Sequence, residues 1–420
     1  MITVGLDFGT HQTKVCIEKK DGVELTYSFM RFNDMYHREF YTLPSIVGVG
    51  IDGLLTYGYL PRGFEGRIVR YFKQDAFRPH ATGMPQINAI YFSIWYISYI
   101  LFDLEQEYGQ EFTIQMGAPT DSSHLNQVKE IATRIIVSAY KLVEEVFAND
   151  KQRFMSTNMK ELTELTEIVA YSCDIKEEYG LLVFPEAYAC LKPLISQGKL
   201  AGGMSLMIDI GGGTTDISFF TIEGNVPHIY DFYSINKGLN YLACVDLKGK
   251  EGLESNVKSA DEINNSRRFA YINEIDRICK SLVVKLQREF KQHSSFEIKG
   301  FLDVLKNRPL VYCGGGSVFN CLRVCYGGFK DKKPISHKEW DAKSILNIED
   351  IIDRKLCPIL STAYGLSIST ENDDIKIQPF SDLFEKFIEY EKDRKAISNH
   401  SDFGRAYGGF DYANDFDAWK

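Results

Sequence analysis

Apolar positions fall along this chain in two rhythms. Residues 204–210 ("MSLMIDI") and 217–222 ("ISFFTI") are short, nearly continuous apolar runs, the pattern of buried strands. Between them the sequence breaks into glycines and threonines, so the segment 208–220, "IDIGGGTTDISFF", predicts strand, turn, strand. The start of the chain repeats the plan in "TVGLDFGTHQTKVCIE" (3–18), and "LVYCGGGSVFNCL" (310–322) puts a third glycine turn after an apolar strand. Residues 1 to about 120 read as strands with a variable aromatic-rich segment, closing on a strand that ends in "GAP". The second rhythm is helical: residues 124–170 contain no Gly or Pro and space Ile131, Ile135, Ile136, Val143 and Val146 along one face. Residues 261–292 form a second Gly- and Pro-free stretch. The apolar run 89–102, "AIYFSIWYISYILF", is too short to cross a bilayer as a helix, and predicts a buried one.

A glycine cluster between strands can be a plain hairpin turn. A phosphate accounts for more of the residues. Glycines leave bare N–H groups facing a concavity that suits an anion. Thr214 and Thr215 add hydroxyls, and the acids Asp209 and Asp216 make sense beside a phosphate if Mg²⁺ lies between, held through water. The first turn carries the same parts: Asp7, Gly9 and Thr10, with Lys14 as a cation. His11 sits inside that turn, where its ring N–H could reach a phosphate oxygen or simply face solvent. The third turn has no acid before its glycines and suits a less charged part of a ligand. Two acid-bearing turns in separate halves predict two lobes closing on one nucleotide.

These residues carry a family resemblance. "LDFGTHQTK", "FPEAYAC", "IDIGGGTTD", "CGGGS" and "STAYGLSIS" resemble, in order, the first phosphate, first connecting, second phosphate, adenosine and second connecting motifs of the actin, hexokinase and heat-shock ATPase superfamily. "LPSIVGVG" (43–50), "YFKQDAF" (71–77) and "IQMGAP" (114–119) further resemble the ATPase domain of DnaK-type chaperones. The resemblance implies a two-lobed α/β fold of the actin-like ATPase type, built from duplicated ribonuclease-H-like cores, with ATP or ADP in the cleft between lobes. It implies a first lobe over residues 1–190, with a variable segment at about 30–110 and a helical insertion at about 140–178. A second lobe would cover 191–378 and a polar aromatic tail 379–420.

Position by position, the resemblance makes Asp7 and Asp209 the acids near Mg²⁺. Gly9, Thr10, Gly211, Gly212, Gly213 and Thr214 become the phosphate cradles, with Thr215 beside them. Glu186 resembles the residue that places the attacking water. Lys14 resembles the phosphate lysine of actin and plasmid-segregation filaments, and Lys73 the catalytic lysine of heat-shock chaperones; having both leaves open which one contacts phosphate. Gly315, Gly316 and Ser317 fit the adenosine motif. Phe319 stands where those chaperones stack an arginine on adenine, and Lys280 is a candidate ribose or base contact.

Charge and composition narrow the partners. A net charge of −9 argues against general nucleic-acid or anionic-membrane binding. The strand-like start leaves no room for a signal peptide, and nine scattered cysteines fit core thiols of a reducing, cytoplasmic setting. From 398 to 420 ("SNHSDFGRAYGGFDYANDFDAWK") aliphatic residues nearly vanish, which predicts a disordered tail or a strip that docks on a partner. No Leu-rich linker or β-rich peptide-binding domain follows the ATPase motifs. The expected function is a Mg-dependent, slow ATPase switch of DnaK type acting on an unidentified protein partner. The alternatives are an actin-like filament for plasmid segregation or cell shape, and a small-molecule kinase, for which no short motif supplies a general base.

Overall fold

The glycine turns of residues 3–18 and 208–220 each close an antiparallel hairpin at the heart of a separate sheet. The computed structural model describes residues 1–78, 83–109, 111–119, 124–169, 180–200, 204–223, 226–243, 263–293, 310–329, 356–370 and 378–385. Leu302, 305–308, Ile335 and Ser336 are also described.

In the first unit β1 (Ile2–Asp7), β2 (Gln12–Asp21) and β3 (Glu24–Phe29) form an antiparallel meander. A small antiparallel sheet of β4 (Ile46–Gly50), β5 (Leu55–Tyr57) and β6 (Gly66–Arg70) follows, then α1 (Phe72–Phe77) and α2 (Gln86–Tyr108). Next come β7 (Phe112–Ala118), α3 (Leu125–Lys141), α4 (Lys151–Ser156), α5 (Met159–Ile168), β8 (Leu181–Pro185) and α6 (Glu186–Ser196). Strands β7 and β8 add in parallel beside β1, so the main path runs β8-β7-β1-β2-β3. Every β1 residue from Thr3 to Asp7 is buried. A strand covered on both faces shows such a continuous run rather than alternation.

The apolar run 89–102 lies within α2, which extends past it at both ends to 23 residues. By length and composition that helix could span a membrane, but 72% of its apolar window is buried in the protein. Trp95, Tyr96 and Leu101 sit in the first unit's core. Within the segment expected as a helical insertion, residues 142–168 contain short helical elements. A π-helical turn, Leu142–Val146, follows α3, and left-handed backbone at Ala148 and Asn149 breaks the helix. Asp150 and Asn158 then cap α4 and α5 by accepting from the N–H groups of Arg153 and Glu161. Residues 170–179 lie outside the described residues.

The second unit repeats the plan. An antiparallel meander of β9 (Ser205–Ile210), β10 (Thr215–Glu223) and β11 (Val226–Ile235) is extended in parallel by β12 (Val311–Cys313) and β13 (Ile335–Ser336). Its path is β11-β10-β9-β12-β13. The long helix α7 (Asn265–His293) buries Tyr271, Ile275, Cys279, Leu282, Leu286 and Phe290, a stripe at helical spacing, in this unit's core. Two α/β units with one strand order, a three-stranded meander continued by two parallel strands, make the duplicated core of the actin-like ATPase fold.

The units divide the chain differently from the expected 1–190 and 191–378. The first comprises residues 1–193, 245–256 and 341–375, and the second 194–244, 257–340 and 376–420. The second connecting motif therefore returns to the first unit as α8 (Cys357–Ser367). This helix lies against β1 at Gly5, where a Cβ would stand 2.3 Å from the Ala363 carbonyl oxygen. Ser367 Oγ donates to Cys16 Sγ at 3.2 Å, and Tyr364 meets Tyr27 edge-on. The expected tail from 379 also begins differently. The Gln378 N–H donates to the Ile229 carbonyl at 2.7 Å, and Phe380, Leu383 and Phe384 enter the second unit's core. Residues 386–420 lie outside the described residues.

Among the described cysteines Cys16, Cys190, Cys279, Cys313 and Cys357 are buried, while Cys321 is half-buried and Cys325 exposed. All are free thiols.

Candidate functional site

In the first unit the candidate residues gather at the carboxyl ends of the parallel strands, where open α/β sheets hold ligands. Asp7 ends β1, and Glu186 opens α6 immediately after β8. Antiparallel register sets Lys14 directly opposite Asp7, with Nζ 2.7 Å from Oδ2. The turn between them is tightly held: the Gly9 N–H donates to the Asp7 carbonyl at 3.0 Å, and Ser45 Oγ donates to the Gly9 carbonyl at 2.6 Å. A Cβ at Gly9 would lie 2.2 Å from the Gln12 carbonyl oxygen, so this glycine serves the turn's own closure. Thr10 is half-buried beside it.

Lys73 comes from α1, which starts from a left-handed Tyr71. Its Nζ stands 2.5 Å from Glu186 Oε1 and 5.7 Å from the centre of the Phe8 ring. Glu186 lies across Gly117 of β7, where a Cβ would meet its Cγ at 3.1 Å. Neither lysine is a solvated surface residue: each neutralises one of the two carboxylates. His11 packs edge-on against Tyr71. Burial, then the charges of Lys14 and Arg70, push its pKa down to about 4. It is neutral at pH 7.

In the second unit Asp209 lies near the end of β9, in register with Cys313 of β12. The third glycine turn is pressed against it. Gly314 has φ +73°, and a Cβ there would fall 2.2 Å from Asp209 Oδ1. A Cβ at Gly316 would fall 2.2 Å from Ile210 Cγ2. In the second turn the Gly211 N–H donates to the Thr214 carbonyl, while the carbonyls of Gly211 and Gly212 accept from the N–H groups of Leu239 and Asn240. Among the described residues the N–H groups of Gly212 and Gly213 have no partner. Two unpaired donors beside a half-buried Thr214 make a cradle for an anion. In the third turn, Gly315 opens a 3-10 turn, and the Ser317 hydroxyl is fully buried without a partner among the described residues. An orphaned buried hydroxyl fits a missing ligand group.

Three expected contacts are corrected. The Thr215 hydroxyl is fully buried, donates to the Lys237 carbonyl at 2.7 Å and lies 2.6 Å from the Tyr271 hydroxyl, so it is already spent inside the unit. Phe319 sits in the second unit's apolar core, 8% exposed, because the 3-10 turn swings it inward; it offers no open face to a base. Lys280 lies on the solvent face of α7, 2.5 Å from Asp276 one helical turn earlier. Asp276 in turn accepts the Gly327 N–H, which sets that pair beside residues 326–328.

No cluster of three His, Cys, Asp or Glu that could hold a metal occurs among the described residues. In each unit a single carboxylate, Asp7 or Asp209, stands beside a glycine turn, a donor that suits a hydrated Mg²⁺ taking its other ligands from water and phosphate oxygens. Sequence reasoning missed Ser45, which pins the first turn, Gly117, which makes room for Glu186, and Gly314, which makes room for Asp209. Ser45 and Gly117 carry no signal of their own beyond lying in "LPSIVGVG" and "IQMGAP".

No family model and no curated protein matches the chain. Solved structures do. The MamK double helical filament aligns at 16% identity over 75% of this chain and 86% of that one, with a TM-score of 0.42. MreB5 of Spiroplasma citri bound to ADP aligns at 14% over 58% and 54%, TM-score 0.30. The ethanolamine utilization protein EutJ from Carboxydothermus hydrogenoformans aligns at 14% over 88% and 89%, TM-score 0.33. The fold assignment rests on the duplicated strand order, not on these scores. The special closeness to DnaK-type chaperones expected from "LPSIVGVG" and "YFKQDAF" is not shown.

Proposed function

We propose that the chain binds ATP with Mg²⁺ through its two acid-bearing glycine turns, hydrolyses it slowly, and couples that cycle to assembly with further copies of itself. The observation that carries the nucleotide reading is the duplication. In each unit the first strand of the meander, which is the central strand of the sheet, delivers an aspartate, Asp7 or Asp209, into a glycine turn. Bound Mg-ATP supplies a polarised γ-phosphoryl group; the chain's own residues position and stabilise it. Lys14 and the N–H groups of Gly212 and Gly213 supply positive charge and donors to phosphate oxygens. Lys73 holds Oε1 of Glu186, which leaves Oε2 to accept from an attacking water.

The assembly reading takes support from Lys14, which resembles the phosphate lysine of actin and plasmid-segregation filaments. The Lys73–Glu186 pair supports a second reading, a chaperone-like nucleotide switch acting on a protein partner. The buried free thiols support a reducing, cytoplasmic setting.

Sedimentation with and without Mg-ATP, with phosphate release followed in the same tubes, separates the readings. Nucleotide-dependent pelleting supports assembly, whereas a soluble species that releases phosphate supports the switch. The Asp209→Ala variant is expected to lose Mg²⁺-dependent nucleotide binding; wild-type binding in that variant would overturn the site.

A further inference from the structure

One cavity of the first unit takes no part in the nucleotide chemistry. It measures about 360 Å³ and is lined from α2, α3 and α5. That volume lies within the range of about 300–1,000 Å³ typical of small-molecule sites. Tyr91 and Ile94, three positions apart on α2, supply an apolar wall, joined by Val169 at the end of α5. The surrounding side chains are pinned. Trp95 Nε1 donates to Thr166 Oγ1 at 2.8 Å, and that hydroxyl donates to the Leu162 carbonyl at 2.6 Å. The Tyr91 and Trp95 rings pack with centres 6.1 Å apart.

The polar side of the cavity comes from α3, where Arg134 and Ser138 stand one helical turn apart. Ser138 is only 3% exposed, yet its hydroxyl has no hydrogen-bond partner among the described residues. The serines of the adjoining helix behave differently. Ser93 and Ser98 of α2 donate to the carbonyls of Ala89 and Ile94, four residues back, at 2.8 and 2.9 Å. A buried hydroxyl that leaves this option unused beside a cavity is placed to meet a ligand group. Arg134 is half-buried and has no ion pair or hydrogen bond among the described residues, not even with Glu167, which lines the same cavity at an exposed position. A guanidinium without a counter-ion in a partly dried cleft suits a carboxylate, which it takes through two parallel hydrogen bonds. The negative charge of Glu167 works against phosphates and other polyanions. We propose that this cavity binds a small monocarboxylate with an apolar body, its carboxylate on Arg134 and the Ser138 hydroxyl and its body against Tyr91, Ile94 and Val169.

The test is calorimetric titration of the full chain, without nucleotide, with phenylacetate and 4-methylpentanoate, and with phenylacetamide and benzylphosphonate as neutral and dianionic counterparts. At least one of the two carboxylates is expected to bind saturably, with phenylacetamide and benzylphosphonate weaker by about tenfold or more. Arg134→Gln should weaken carboxylate binding by about tenfold or more, and Ser138→Leu, whose side chain enters the cavity, should abolish it, both with the melting temperature no lower than wild type. No saturable binding of either carboxylate would show a cavity that holds only water and would overturn the proposal. So would phenylacetamide or benzylphosphonate binding as tightly as the carboxylates, or wild-type affinity in either variant. None of these outcomes depends on the nucleotide reading.

Discussion

Replacing Lys73 by methionine isolates the contact on which the first half-site turns. Its Nζ stands 2.5 Å from Glu186 Oε1, with side-chain exposures of only 6% and 17%. At an effective dielectric constant of about 20, the direct attraction at that distance is about 7 kcal/mol. Most of it is offset by the cost of drying both charges. The single substitution leaves a carboxylate without its counter-ion, so Lys73→Met should destabilise the first unit by about 3–5 kcal/mol at neutral pH. That corresponds to a melting shift of roughly 10 °C for a unit of this size. The double variant Lys73→Met/Glu186→Leu removes both charges and should recover stability to within about 1–2 kcal/mol of wild type. Urea unfolding followed by Trp95 fluorescence, with Trp340 and Trp419 replaced by phenylalanine, reports the first unit alone. Hydrolysis should be lost in the single and the double variant alike, which separates positioning of water from stability. A loss below about 0.5 kcal/mol for Lys73→Met, additive with that of Glu186→Leu, is the behaviour of a solvated surface lysine and would refute the reasoning.

Other outcomes follow from particular groups. Burial, then the charge of the neighbouring Glu144 carboxylate and a hydrogen bond with it, push Glu105 up to about 8. The folded state therefore keeps this proton while the unfolded chain loses it near 4.5, and wild-type stability falls as pH rises between those values. Glu105→Gln should stabilise on the order of 2–4 kcal/mol at pH 8 and little at pH 4.5, read by denaturant titration at both pH values; an equal effect at both would sink the assignment. Thr215→Val should cost about 1–3 kcal/mol by stranding the Tyr271 hydroxyl and the Lys237 carbonyl, with nucleotide affinity changed less than about twofold. A tenfold affinity loss without a stability loss, by calorimetry, would return Thr215 to the phosphate turn.

The strands and turns of both units were legible because buried parallel and meander strands write themselves as apolar runs, and glycine turns interrupt them. The helix α2 was seen only as its apolar centre, since its polar ends carry no helix-specific signal. Asp7, Lys14 and Asp209 could be placed from spacing because strand register fixes which residues oppose each other. Phe319 and Thr215 could not: whether a side chain beside a turn faces a ligand or the core depends on one backbone rotation, which local sequence does not encode. The assignment of "STAYGLSIS" to the second unit failed for a related reason. Order along the chain does not say that a late helix crosses back to an early sheet.

That crossing has a consequence for how the protein comes into being. Helix α8 covers strand β1, and Ser367 meets Cys16 across 351 positions of sequence. During synthesis from the amino terminus, the first sheet must wait with this part of its surface bare until residue 367 has left the ribosome, by which time most of the second unit's sequence is already out. A nascent chain halted before α8 therefore carries an exposed apolar sheet face, and prematurely ended products are the forms of this protein most prone to aggregate.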